Sequence, residues 1–71
     1  MKTELRLRYQ QHAVAMSNSM REAAEHMEAQ SQLDLTEDEL LDHITMIAAM
    51  IENAHYHAAR MKVYARLIAH G

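Results

Sequence analysis

Nine apolar residues, Leu40, Ile44, Ile47, Ile51, Ala54, Ala58, Met61, Ala65 and Ile68, follow one another at alternating intervals of four and three. That spacing places all nine on one narrow line of an α-helix and is the signature of coiled-coil-like packing sustained over about four heptads. At ~1.5 Å per residue the helix is on the order of 50 Å long. A second line, Tyr9, Ala13, Met16, Met20, Ala23 and Met27, repeats the same intervals earlier in the chain. Proline is absent and the only glycine is Gly71, so neither line meets a helix breaker. The rest is rich in Ala, Met, Leu, Glu, Gln and Arg, all good helix formers. The fold class predicted is all-α, as a single domain over residues 1–71.

The boundary between the two helices is written at Leu35-Thr36-Glu37-Asp38-Glu39-Leu40. Thr36 can cap the second helix while Glu39, three residues on, reaches back to close a capping box, and Leu35 with Leu40 form the flanking staple. Acidic side chains in that first turn suit the helix dipole. The segment before it is too short for anything but a reversal. The reading is helix 1 over about 4–31, a turn over about 32–36 and helix 2 over about 37–70. Ser17-Asn18-Ser19 is a point where helix 1 can break, because these residues favour caps over helix interiors.

Folding the chain back at Asp34 makes an antiparallel two-helix hairpin. Its expected layers are Met27–Leu40, Ala23–Ile44, Met20–Ile47, Met16–Ile51, Ala13–Ala54 and Tyr9–Ala58, each pair summing to 67. Ile44 faces Ala23 and Tyr9 faces Ala58, and the Ala13–Ala54 layer would let the backbones approach closely; alternating large and small residues is how facing positions reach native packing density. One seam between two helices buries too little to hold 71 residues, so more surface must be covered. Met46, Ala49, Tyr56, Val63 and Leu67, away from the seam on helix 2, together with Leu41 and Met50 on its flanks, are the candidate interface with a second copy or with another protein. Residues 21–42 carry one arginine against eight carboxylates, whereas residues 1–10 and 60–71 together carry six Lys/Arg against one glutamate. An antiparallel homodimer would set the acidic turn of one copy on the basic tip of the other and close a four-helix bundle.

Six histidines are conspicuous in a chain of this size. His12, His26, His43 and His57 share one heptad flank, and the hairpin register pairs His12 with His57 and His26 with His43. Glu22 and Glu39 lie four residues before His26 and His43, so His26, His43, Glu22 and Glu39 form a candidate site for a divalent metal. Facing imidazoles would also respond to mild acid. Glu52 and His55 have the spacing of di-iron bundle ligands but sit off the seam. Cysteine is absent, no serine is placed beside a base, and no glycine-rich phosphate loop exists, so an enzyme is not expected. Arg6, Arg8, Arg60, Lys62 and Arg66 at the tip are candidate contacts to RNA, DNA or an acidic partner, although the net charge of −3 argues against a chain devoted to coating nucleic acid.

No apolar run approaches the ~18 residues of a membrane span, and no signal-peptide apolar region opens the chain. A cytoplasmic protein is expected. The function expected is that of a small non-enzymatic interaction protein, a regulator, adaptor, inhibitor or chaperone working on a protein partner, without a required cofactor. The alternatives are a metal-binding bundle built on the paired histidines and a nucleic-acid-binding hairpin dimer using the basic tip.

Overall fold

In a computed structural model, which describes residues 2–70, the chain forms two helices, α1 over Lys2–Ser31 and α2 over Glu37–His70, packed along their length. The hairpin is a rod of 52 × 14 × 12 Å. Helix α1 starts two residues before the expected boundary and runs unbroken through Ser17-Asn18-Ser19. The Ser19 hydroxyl is buried and accepts a hydrogen bond of 2.6 Å from the Asn53 side-chain amide of α2. A tertiary partner thus occupies the group that would otherwise compete for the backbone.

The turn is built as its residues dictate. The Glu39 amide donates to Thr36 Oγ1 at 3.3 Å, while the Thr36 amide and hydroxyl donate to Glu39 Oε1 at 3.2 and 2.9 Å. These bonds hold the Glu39 carboxyl below its ordinary pKa, the hydroxyl contributing most and the backbone amide next. At the other side of the turn, Gln32 and Leu33 donate to the carbonyls of Ala29 and Gln30 at 3.2 and 3.3 Å, tightening the last turn of α1. The Ser31 hydroxyl satisfies the Glu28 carbonyl at 2.7 Å. No described residue has a positive φ, so this reversal needs no glycine.

The helices meet on a line rotated from the expected seam. Call a the row Tyr9, Met16, Ala23 and Gln30 on α1 and Ile47, Ala54, Met61 and Ile68 on α2. Every one of these is buried or half-buried. Their partners in the packing are row d, Leu5, His12, Ser19 and His26 on α1 with His43, Met50, His57 and Tyr64 on α2, again all buried or half-buried. The expected partners form a third row, e: Ala13, Met20 and Met27 with Ile44, Ile51, Ala58 and Ala65. Ile47 is 1% exposed, but Met20 and Met27 are 54% exposed, Ile44 51% and Ile51 42%. Leu40, at the turn end of row a, is exposed too. The layers that alternate a with e are therefore half right. Two helices present only two rows to each other, and rows d and e both stand in 4–3 alternation with row a. In row d, His12 bonds His57 and Ser19 bonds Asn53 across the hairpin, Tyr64 supplies a large buried ring, and His43 Nδ1 is left buried without a partner.

Candidate interaction surface

The d row carries the polar geometry of the molecule. His12 Nδ1 lies 2.8 Å from His57 Nδ1, so one ring donates its proton and the other accepts. The His12 ring stacks on Tyr64 at 5.7 Å and 19°, and meets Tyr56 edge-on at 6.2 Å. Arg60 donates to the Tyr64 hydroxyl at 3.2 Å and lies over its ring at 5.3 Å. Burial depresses the pKa of His12, and the charges of His57, Arg60 and Arg8 add to that effect. The Tyr64 hydroxyl is also held below its ordinary value, first by the bond from Arg60 and then by Arg8.

The second histidine pair forms in the predicted register, with the His26 and His43 rings 6.4 Å apart. Among the described residues no three His, Asp or Glu side chains converge as metal ligands. Of the set expected with His26, His43 and Glu22, Glu39 has its Oε1 engaged with Thr36. Glu52 and His55 are exposed and likewise gather no further ligand.

The basic residues of the tip divide between the two sides of the hairpin. Arg8, which pairs with Glu4 at 3.1 Å, and Arg60 both lie beside Tyr64 on the d side. Arg6 and Lys62 line grooves on the e side. Arg66 is exposed. No single face collects all five.

The apolar residues expected to meet a partner also divide. Met46 and Leu67 stand beside row d, with Ala49, Tyr56 and Val63 next to them, and all five are exposed. They form an outer stripe on α2. Leu41, 63% exposed, lies on the far side of a polar ridge made by Thr45, Glu52 and Arg66, next to Ile44 and Ala48 on the e side. Met50 belongs to neither surface, because it is half-buried in row d.

The e side is the feature that the sequence reading placed indoors. In an antiparallel pair the e flanks of both helices fall on the same side, so Met20 and Met27 of α1 join Ile44, Ile51 and Leu41 of α2 in one apolar face towards the turn. Towards the tip the face continues as two shallow grooves of about 400 and 250 Å³, both lined by Tyr9 and Ala65. The signal that could have revealed it was present: rows a, d and e make three adjacent stripes, one more than a hairpin can bury. Among the described residues no helix is long and apolar enough to cross a membrane. Compared with known protein families, curated proteins and solved structures, the chain matches none.

Proposed function

We propose that this chain is a small cytoplasmic interaction protein without catalytic activity, which pairs with a second copy as a four-helix bundle and acts as a regulator, adaptor, inhibitor or chaperone on a protein partner. One observation carries the reading. Among the described residues, thirteen large apolar side chains are exposed, against four apolar residues that are buried. Isolated exposed hydrophobes are ordinary, but contiguous ones on a chain this small mark surfaces for association. The outer stripe of Met46, Tyr56, Val63 and Leu67 has the spacing by which an amphipathic helix docks. Binding of RNA or DNA by the tip has less support, since Arg8 and Arg60 are committed to Glu4 and Tyr64 while Arg6 and Lys62 face the other side.

The test is capture from the native host with the wild-type chain and with Tyr56→Glu/Val63→Glu. A protein retained by the first and lost by the second, with helical circular dichroism unchanged, supports the reading. Identical capture by both variants, or capture of nucleic acid alone, contradicts it.

A further inference from the structure

The exposed surface exceeds what a chain of this mass should keep. A compact monomer of 8.2 kDa exposes about 4500 Å². This hairpin exposes 5538 Å², an excess of about 1000 Å². A standard protein interface removes about 800 Å² from each partner. One further face of the hairpin therefore remains to be covered, and the area fits a single copy-to-copy contact.

Two apolar faces compete for that role. The outer stripe lies on α2 alone and is interrupted by Asn53 and Arg60. The e face draws on both helices and runs from Met27 and Leu41 at the turn to Tyr9 and Ala65 at the tip. Burying it would also enclose row a from its open side, converting a two-row seam into the centre of a bundle.

Resting on the homodimer reading above, we infer that the e face is the surface through which two hairpins pair, turn to tip, leaving the outer stripe free for a different protein. A two-fold axis lying in the interface and perpendicular to the helices sets α1 on α1 and α2 on α2, both antiparallel. Centred between Ile51 and Ala58, it opposes Ile51 to the second copy's Ala58 and Ile44 to its Ala65. Each isoleucine then meets an alanine, so both grooves at the tip receive side chains from the turn half of the other copy. The same antiparallel order lays the basic tip half of one copy, with Lys62 and Arg66, along the acidic turn half of the other. An arrangement with tip on tip would juxtapose like charges at both ends. Exposed charge pairs add little energy but select between orientations.

The chain has no cysteine, which permits a direct test. Ile44 and Ala65 lie 21 residues apart on one helix, about 30 Å at ~1.5 Å per residue, so cysteines there cannot bridge within a chain. The full-length double variant Ile44→Cys/Ala65→Cys is expected to oxidise to a covalent dimer, while each single variant does not. In parallel, light scattering on Ile44→Glu/Ile51→Glu should read half the wild-type mass, and Tyr56→Glu/Val63→Glu should keep the wild-type mass. Dissociation by the outer-stripe variant with none by the e-face variant overturns the assignment of the face while leaving self-association intact. A double-cysteine variant that oxidises no more than the singles, in a wild-type protein that is dimeric, overturns the orientation. A wild-type chain that runs at 8.2 kDa overturns both this inference and the homodimer on which it rests.

Discussion

At the scale of single residues, two polar pairs bridge the helices, Ser19 with Asn53 and His12 with His57. Ser19 is buried and its hydroxyl depends on Asn53, whose own side chain is exposed. Removing the two partners is therefore not equivalent. Asn53→Ala strands a buried hydroxyl and is expected to cost on the order of 1–2 kcal/mol, whereas Ser19→Ala leaves an amide that water can satisfy and costs less. Chemical denaturation of both variants checks this order, and equal losses would contradict it. The His12–His57 bond has a definite pH dependence. Folding lowers the pKa of His12, so as pH falls the unfolded chain takes up its proton first. The stability this group contributes is complete above the ordinary imidazole value of roughly 6.5 and is lost as pH drops through the folded value. His57, Arg8 and Arg60 all disfavour the extra charge, while Tyr56 and Tyr64 supply only ring faces. The melting temperature should fall between about pH 7.5 and about pH 5.5, and the fall should shrink in His12→Gln. An identical fall in the two proteins would show that this pair does not carry it.

At the scale of elements, the start of α2 and the length of the turn were legible because they depend on local chemistry alone. Thr36 and Glu39 cap one another whatever the rest of the chain does, and Thr36→Ala is expected to cost about 1 kcal/mol by equilibrium unfolding. A loss indistinguishable from zero would mean that packing, not the cap, fixes this end. The continuity of α1 was less legible, because the residue that rescues Ser17-Asn18-Ser19 is Asn53, 34 positions from Ser19. The register was readable too: both histidine pairs formed where the fold-back set them. The row was not. Rows d and e keep the same intervals from row a, and hydrophobicity favours e, so spacing alone points to Ile44 and Ile51 as core. Deciding between them requires knowing that His12 bonds His57 and stacks on Tyr64 while Ser19 bonds Asn53 across the gap, which is a property of three-dimensional neighbours. Ile47 belongs to the seam in either row and is the most enclosed side chain in the hairpin. Ile47→Ala should accordingly destabilise by about 2–5 kcal/mol, more than the same change at Ile44 in a sample dilute enough to be monomeric. Equal effects under those conditions would place Ile44 back in the seam.

At the scale of the whole molecule, the radius of gyration is 16.2 Å, where a compact chain of this length would have about 11 Å. A rod has too much surface for its volume, and this one leaves Met20, Met27, Ile44, Ile51 and Ala65 of row e outside. The exposure of the e side was not legible in the sequence because rows d and e keep the same intervals from row a, so spacing alone put Ile44 and Ile51 in the seam. If half of the core is supplied by a second copy, thermal stability must depend on mass action, and the melting temperature should rise with protein concentration. It should rise less in Ile44→Glu/Ile51→Glu, and a melting temperature independent of concentration would argue for a self-sufficient hairpin. The most direct measurement is sedimentation equilibrium of the full-length protein across the micromolar range, with helicity followed in the same samples. A mass twice that of the 8.2 kDa chain is expected, falling towards one chain only on dilution. A fully helical, cooperatively melting species of single-chain mass throughout that range would contradict it.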